Sequence, residues 1–547
     1  MKRCILLLCI VAVLRDSEAL RKGSTDYEDM SFWLKSGQET LHRILTEPKN
    51  ENRAKNVIIF IGDGMGLSTI TSGRIYVGQL NGYSGEEYQL SFEKFPNAAL
   101  AKTYNVDKQV PDSAGTATAI FSGVKTKYRL IGLDARAEYS KCDKKINELS
   151  KVSTVADWAQ QSGKDTGFVT TTRITHATPA GLYAHVNHRD WECDSDVPKN
   201  QRFCIKDIAA QLVEDEPGNH FKVIMGGGGE QMGTDMKMIK PDSNSCTRSD
   251  GRNLIKEWQV LHPEGKAVTN IHDLMSIDIS NTSHILGVFS ASHMPYHAVK
   301  SPETPSLTNM TTQAIRMLKK NKNGFFLMVE SGKIDIAHHG NWAQLALREL
   351  YELDEAVKAA TRLLNMEETL IIVTADHSHS FTLNGYPERG NDILGFGNKK
   401  LSQEPYETLS YANGPGFFYH RRNDSNNVNE TWRRLDNDTT RNEPFYRHFA
   451  GKYLKDESHG GEDVGVYAIG PYSHLFRGTF EQNYIAHAVA YAACLKNWPS
   501  HCDEAYHRYF YDVNRAPPNS RTNLAGQNTV SLAIIITSLF TLIFIWL

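Results

Sequence analysis

Residues that could bind divalent metal ions stand in four separate stretches of the sequence. They combine carboxylate and imidazole side chains, the ligand types that zinc accepts in proteins. A fifth stretch, Asp112–Thr116 (DSAGT), offers the hydroxyl of Ser113 as a nucleophile that a neighbouring metal could activate. Together these residue types predict a metal-dependent hydrolase. The candidate ligands are Asp63 in a GDGMG turn, Asp335 with His339, Asp376 with His377, and His459.

Each of these stretches also has a simpler interpretation. Asp63 could merely shape a tight turn between glycines. Asp335 and His339 share one face of a predicted helix, where a plain hydrogen-bonded pair is the more frequent outcome. His459 means nothing by itself. The metal-binding interpretation is favoured over these simpler ones because several of the residues follow predicted strands and because the set completes two three-ligand sites.

The elements that must position these residues alternate between short apolar strands and amphipathic helices. This alternation predicts an α/β fold with three α/β/α layers around a large, mostly parallel central sheet. Ligands of such sheets bind beyond the carboxyl ends of the strands, where Asp63, Glu330 and Asp376 fall. The predicted strands cover 56–61, 166–171, 325–329 and 370–374, and predicted helices include 153–162 and 342–365.

The two ends of the chain indicate secretion and a lipid anchor. Lys2 and Arg3 precede an apolar run and then Ser17-Glu18-Ala19, the pattern of a cleaved signal peptide. Residues 530–547 form an apolar tail without a basic flank, which favours a glycosylphosphatidylinositol (GPI) signal over a spanning helix. We therefore divide the chain into a signal peptide (1–19), a catalytic domain (20–520) with an irregular surface excursion at about 384–455, and an anchor signal (521–547).

Charge, cysteines and sequons agree with an extracellular protein. A formal charge of −3 without long basic runs argues against a nucleic-acid partner. The cysteines beyond the signal peptide are even in number, which favours disulfides, and Cys494 with Cys502 is the simplest pair. N-glycosylation sequons begin at Asn281, Asn309, Asn423, Asn429 and Asn437.

Several blocks of the sequence resemble the animal alkaline phosphatases. The GDGMG turn at 62–66 is followed by VPDSAGTATA at 110–119, TTTR at 170–173 and HATPAG at 176–181. The similarity continues through 330–339, TADHSH at 374–379 and HGGED at 459–463. Because these blocks occur in collinear order from about Phe32 to Cys502, the chain is similar to this family over nearly its whole catalytic region.

The resemblance implies a role for each matching residue. It implies hydrolysis of small phosphate monoesters at alkaline pH, with two zinc ions and one magnesium ion per subunit. Ser113 would become phosphorylated and Arg189 would bind the phosphate. One zinc would be held by Asp335, His339 and His459, the other by Asp63, Asp376 and His377, and magnesium by Asp63, Thr178 and Glu330. Asp112, His176 and His379 would support these ligands without binding metal themselves.

The resemblance also implies larger-scale properties. It predicts the disulfides Cys142–Cys204 and Cys494–Cys502, and a homodimer in which residues 27–45 reach across to the partner. The excursion at 384–455 would form an exposed crown. The enzyme would be GPI-anchored at the extracellular face of the plasma membrane.

A few positions depart from the family pattern. Thr178 replaces a serine, which leaves a hydroxyl ligand in place, and Ile336 replaces a histidine beside Asp335. Ser290 and Thr304 stand where vertebrate members have acidic calcium ligands, which puts a structural calcium ion in doubt. Two further cysteines lie outside the family's disulfides, and we predict that they pair: Cys193 and Cys246.

Two other classes of function compete with the phosphatase interpretation. A sulfatase would need a Cys or Ser followed by x-Pro-x-Arg, and Ser113 is followed by AGTA instead. Phosphodiesterase relatives usually present a threonine nucleophile. A surface receptor or adhesion glycoprotein built on the same fold is the remaining alternative. Every candidate metal ligand is present in the sequence, which favours an active enzyme over this alternative.

Overall fold

The computed structural model describes residues 28–236, 246–397, 406–422, 431–432 and 440–495. Ten strands form one large sheet, and short pairs lie outside it. The strands are β1 (Asn56–Gly62), β2 (Asn97–Lys102), β3 (Asp165–Arg173), β4 (Val223–Gly227), β5 (Lys266–Val268), β6 (Ile285–Val288), β7 (Phe325–Ser331), β8 (Thr369–Ala375), β9 (Ser378–His379), β10 (Phe381–Leu383), β11 (Leu409–Tyr411), β12 (Arg421–Arg422), β13 (Thr431–Trp432), β14 (His459–Gly460), β15 (Val464–Ile469) and β16 (Gly478–Glu481).

Helices connect these strands and flank the sheet. The α-helices are α1 (Met30–Thr46), α2 (Leu67–Leu80), α3 (Ser113–Ser122), α4 (Lys144–Ser150), α5 (Val155–Gln161), α6 (Ala177–Ala180), α7 (Ile208–Glu214), α8 (Leu254–Leu261), α9 (Ile271–Met275), α10 (Leu307–Leu318), α11 (Lys333–His339), α12 (Ala343–Leu363), α13 (Gly416–His420) and α14 (Tyr484–Ala493).

The large sheet is mostly parallel, as predicted. Its strand order is β16-β2-β15-β8-β1-β7-β3-β4-β6-β5. Within this sheet, as far as the structure describes it, only β15 runs antiparallel to its two neighbours, β2 and β8. The order places β8, β1 and β7 side by side at the centre, so their carboxyl ends meet at one edge.

The central strands form because their sequences are apolar without alternation. All seven residues of β1 (NVIIFIG) are buried, and so are all seven of β7 and β8. Such runs are typical of parallel strands that helices cover on both faces. The predicted strands and the helices at 153–162 and 342–365 are confirmed, with the longer helix observed as α12.

The predicted excursion contains little regular structure where it is described. Between 384 and 455 the structure has β11, β12, β13 and α13, none longer than five residues. No helix among the described residues is long and apolar enough to cross a membrane. The predicted signal peptide and the anchor segment both lie outside the described residues, so the domain boundaries stay predictions.

Candidate functional site

The site begins where the three central strands end. Asp63 follows β1, Asp376 follows β8, and Glu330 is the sixth residue of β7, paired in register with Ile61. All three carboxylates are buried. The predicted position of these side chains at the carboxyl ends of the strands is therefore confirmed.

Ser113 is brought to this edge by the start of α3. The carboxylate of Asp112 caps the helix by accepting hydrogen bonds from the amides of Ala114 and Gly115. Ser113 Oγ lies 3.1 Å from His377 Nε2 and 3.4 Å from Asp63 Oδ1. The candidate nucleophile thus sits against two of the predicted metal ligands.

Asp335, His339 and His459 form one compact donor set. His339 Nε2 and His459 Nε2 are 3.2 Å apart, and Asp335 Oδ1 lies 3.4 and 3.3 Å from them. Donor atoms on a tetrahedral zinc ion, with bonds of about 2.0 Å, are separated by roughly 3.3 Å. The spacing fits such an ion.

Asp63, Asp376 and His377 form a second donor set. His377 Nε2 lies 3.5 Å from Asp63 Oδ1 and 3.2 Å from Asp376 Oδ2. The other oxygen of Asp376 accepts a hydrogen bond from the backbone N–H of Gly64 at 3.0 Å, and this bond fixes the carboxylate. The predicted ligands of both zinc sites are thus brought together in two neighbouring groups.

The three histidines present their Nε2 atoms in the form that metals bind. Nδ1 of each ring faces a main-chain carbonyl: His339 that of Glu457, His377 that of Ser378 and His459 that of Pro111. A carbonyl can only accept, so each Nδ1 carries the proton and each Nε2 has a free lone pair. The Nε2 atoms of His339 and His459 are 3.2 Å apart, and their lone pairs repel each other unless a cation lies between them.

A third group of donors lies around Asp63 Oδ2, the carboxylate oxygen that does not face Ser113. Asp63 Oδ2 and Glu330 Oε1 are buried and accept no hydrogen bond from the described residues. The hydroxyl of Thr178 is buried next to Glu330. Oxygen donors of this kind suit magnesium, and such a cation would satisfy the two unpaired carboxylate oxygens.

The raised pKa values of two of these buried carboxyl groups also indicate a place for bound cations. Burial, reinforced by the charge of Asp376, raises the pKa of Asp63 well above its ordinary value. Burial also raises the pKa of Glu330 to about 7. Carboxylates so close together remain ionised at neutral pH only beside positive charge, which bound cations would supply.

His176 lies next to Asp63 and Glu330 and also contacts the candidate phosphate-binding residue, Arg189. Arg189 Nη2 donates to His176 Nε2 at 3.1 Å, and an arginine cannot accept, so the proton of His176 is on Nδ1. A protonated Nδ1 cannot ligate a metal, although it can donate to a bound water. This agrees with the predicted supporting role of His176.

Arg189 is anchored on the helix cap. Its Nη1 donates to Asp112 Oδ2 at 3.1 Å, so the guanidinium lies beside the start of α3 and close to Ser113. The segment that carries it is tied down by two disulfides, Cys142–Cys204 and Cys193–Cys246, as predicted. Cys494 is also disulfide-bonded, but its predicted partner Cys502 lies outside the described residues.

His379 and Glu457 hold the first donor set from behind. His379 Nε2 donates to Asp335 Oδ1 at 2.8 Å, and its Nδ1 donates to Glu457 Oε2 at 2.5 Å. Burial would lower the pKa of His379, but Glu457 and Asp335 raise it to about 10. With a carboxylate on each side, the ring of His379 can orient Asp335, and its predicted supporting role stays a prediction.

Glu457 was not identified from the sequence. Besides His379, it accepts hydrogen bonds from the backbone N–H and the hydroxyl of Ser380, at 2.7 and 2.5 Å. The only hint in the sequence is its position two residues before His459. Its contacts depend on the antiparallel pairing of β9 with β14, which residue patterns do not predict.

Two of the predicted glycosylation sites and the two positions of the doubtful calcium ligands lie among the described residues. Asn281 is exposed, and Asn309 lies in the first turn of α10. The sequons at Asn423, Asn429 and Asn437 lie outside the described residues. At the two positions of the family's calcium ligands, Ser290 Oγ donates to a main-chain carbonyl, and the carbonyl of Thr304 accepts from Lys300.

Comparison with known proteins decides the family. A family model described as alkaline phosphatase matches residues 54–495. The chain is 47% identical over 541 residues to alkaline phosphatase 4 of Drosophila melanogaster, covering 93% of this chain and 90% of that one. The chain belongs to the alkaline phosphatase family. It is a phosphoric monoester hydrolase with alkaline phosphatase activity, as the sequence predicted.

Other relatives extend the similarity across animals. The membrane-bound alkaline phosphatase of Bombyx mori is 41% identical over 496 residues, covering 88% of each chain. The human tissue-nonspecific isozyme is 42% identical over 491 residues, covering 87% of this chain and 91% of that one.

Solved bacterial structures share the fold. The alkaline phosphatase of the Antarctic bacterium TAB5 superimposes with a TM-score of 0.55 at 24% identity, over 81% of this chain and 99% of that one. The Thermus thermophilus enzyme gives a TM-score of 0.57 at 20% identity, over 83% and 95%. The fold predicted from the sequence is confirmed.

Proposed function

We propose that this phosphatase acts through a phosphoserine on Ser113 and holds two zinc ions and one magnesium ion. The observation that carries the proposal is the position of Ser113 Oγ, 3.1 Å from His377 Nε2 at the start of α3. One donor set contains His377, a second donor set lies alongside, and Arg189 stands on the adjacent cap. No other described serine combines these neighbours.

The residues of the chain account for most of the reaction. Arg189 binds non-bridging phosphate oxygens with its planar fork of donors, which a lysine could not match. Ser113 Oγ attacks phosphorus in line as the alcohol departs, and water then cleaves the phosphoserine to release inorganic phosphate. The phosphoserine lies at the positive end of the α3 dipole, which favours its negative charge.

The donor sets assign the metals by their chemistry. Zinc fits the two sets that mix carboxylate and imidazole, and magnesium fits Asp63 Oδ2, Glu330 and Thr178. When bound, these ions supply Lewis acidity that favours the alkoxide of Ser113, the departing alkoxide and the attacking hydroxide. A structure of a TAB5 alkaline phosphatase variant is described as having Mg bound in its M3 site, which supports a third metal position here.

The test is acid quenching during turnover of p-nitrophenyl phosphate, followed by peptide mapping. We expect phosphate on the peptide that contains Ser113, and Ser113→Ala should lower kcat by about a thousandfold or more. Ser122→Ala, at the other end of α3, is the matched control and should retain activity. Chelation should abolish turnover and zinc with magnesium should restore it. Phosphate on another residue would overturn the assignment.

We also propose that the enzyme is a homodimer anchored through a GPI lipid. α1 has no buried residue and exposes Trp33, Leu41 and Leu45, which supports contact with a second subunit. The apolar tail at 530–547 and the membrane-bound Bombyx mori relative support the anchor. Sedimentation of the soluble enzyme should give twice the mass of one chain, and a monomer would contradict the dimer.

A further inference from the structure

Arg129 lies between the cap of the nucleophile helix and the phosphate-binding arginine. Its backbone N–H donates to Asp112 Oδ1 at 2.9 Å, and its carbonyl accepts from the backbone N–H of Arg189 at 3.1 Å. Its φ is 65°, a left-handed conformation that L residues seldom adopt. These two hydrogen bonds hold the backbone of Arg129 at the rim of the site.

The side chain of Arg129 pairs with Asp190 at a partly exposed position. One Nη atom forms an ion pair with Asp190, but the two side chains are 28% and 42% exposed. Exposed ion pairs contribute little, because water competes for both partners. Arg129 Nε is buried and donates to no described group, so the pair with Asp190 leaves the guanidinium incompletely hydrogen-bonded.

We propose that Arg129, which lies beside Asp112 and Arg189, is a specificity-determining residue that binds a second anionic group of the substrate. The inference rests on the proposed role of Arg189, which holds the phosphate that is transferred. A substrate whose leaving group carries its own phosphate would present oxygens to the neighbouring guanidinium. These oxygens would replace Asp190 as the ion-pair partner of the exposed end of the guanidinium.

The substrate class that follows is phosphate esters and anhydrides with an anionic leaving group, such as nucleoside diphosphates. AMP and ADP make a matched pair, because removal of the terminal phosphate leaves neutral adenosine in one case and anionic AMP in the other. Arg129 should therefore raise the ratio of kcat/KM for ADP to kcat/KM for AMP.

The experiment measures this ratio in the metal-loaded enzyme. Arg129→Ala keeps a Cβ and so keeps the same backbone constraint, and the ratio should fall about five- to tenfold. Arg129→Lys should recover part of the loss, since the charge returns without the fork. Asp190→Asn should raise the ratio by freeing Arg129. In the wild type the ratio should also fall as salt is added.

Arg136→Ala is the matched control. Arg136 belongs to the same connection between α3 and α4, is 59% exposed and pairs with Asp134. Its loss should leave both kcat/KM values unchanged. A ratio in Arg129→Ala within twofold of the wild type, with AMP still hydrolysed, would overturn this inference. Failure of the wild type to hydrolyse AMP would instead overturn the proposed function.

Discussion

At the scale of single residues, the donor histidines differ from His379 in what holds them. His339, His377 and His459 are oriented by main-chain carbonyls, which no substitution of a neighbouring side chain removes. His379 is oriented by the side chain of Glu457. Glu457 is therefore the point at which a single substitution outside the donor sets should disturb the first of them.

We predict that Glu457→Gln weakens metal binding at the set of Asp335, His339 and His459. Without the second carboxylate His379 loses a proton and binds Asp335 less firmly, and losses of outer partners typically cost about 10- to 100-fold in metal affinity. Activity measured against free zinc concentration should shift to higher zinc, with near-normal activity at saturation. Glu264→Gln, at an exposed position, is the control. An unchanged zinc dependence would contradict the role given to Glu457.

Residue types explain why the donors were predictable and Glu457 was not. Asp63 and Asp376 directly follow apolar runs, so their position at the edge of a parallel sheet follows from the pattern alone. Assignment of Thr178 and Arg189 depended on the family resemblance. Glu457 acts across the pairing of β9 with β14, two strands of two residues each, and nothing in so short a segment distinguishes strand from loop.

At the scale of elements, the turn after β1 requires glycine for two reasons. Gly64 has φ +70°, and a Cβ there would lie 2.3 Å from His379 Nε2. The turn must also present its N–H to Asp376. The same short segment therefore shapes the second donor set directly and the first through His379.

We predict that Gly64→Ala lowers kcat/KM at least about 100-fold, because a shift of this turn displaces Asp63, Asp376 and His379 together. Gly82→Ala is the control, since Gly82 has a similar φ of +80° but nothing within 4 Å of the added Cβ. It should cost about 1 kcal/mol in stability through strain alone and leave activity intact. Equal losses in both variants would show that backbone strain, not the contact, is responsible.

A buried lysine at the opposite, amino end of the sheet should raise the free energy of unfolding at high pH. Lys164, before β3, is buried and donates to the carbonyls of Lys55 and Asn323. Burial, followed by the charges of Arg53 and Lys55, lowers its pKa to about 8. The unfolded chain keeps this proton up to a pH of roughly 10.4, so it binds more protons than the folded state between these values. The free energy of unfolding should therefore rise with pH in this window.

Chemical denaturation at the two ends of the window tests this. The contribution of Lys164 is at most about 3 kcal/mol, and Lys164→Met should remove that part of the rise. Lys94→Met, at an exposed position, should leave the pH dependence as in the wild type. A rise that survives in Lys164→Met would assign the effect to other groups.

The elements themselves were predictable to different degrees. Long apolar runs such as β1 and β8 have one stable environment, a doubly covered parallel sheet. β2 mixes buried and exposed positions, and β15 beside it runs antiparallel to the rest of the sheet. The part of the sheet formed by β16, β2 and β15 could therefore not be predicted from the hydrophobic pattern. Pairing across such long sequence separations depends on the rest of the fold.

At the scale of the whole molecule, the proposed GPI anchor predicts that activity is found on the cell surface. Cells that express the full chain should release the activity into the medium when they are treated with phosphatidylinositol-specific phospholipase C. This phospholipase cuts the lipid of a GPI anchor. A variant truncated before residue 521 should be secreted without treatment. Activity that stays on treated cells would favour a spanning tail.

The site also has a consequence for how the enzyme matures. Its donors come from β1 near the start of the described chain and from β14 near its end, with Asp335 and Asp376 between them. A domain that folds as it is synthesised can shape the early strands first. The proposed first zinc position stays one ligand short until His459 has been made, so the site cannot be completed while the earlier segments are being synthesised. Acquisition of metal at this position should therefore be a late step that follows synthesis of nearly the whole described chain.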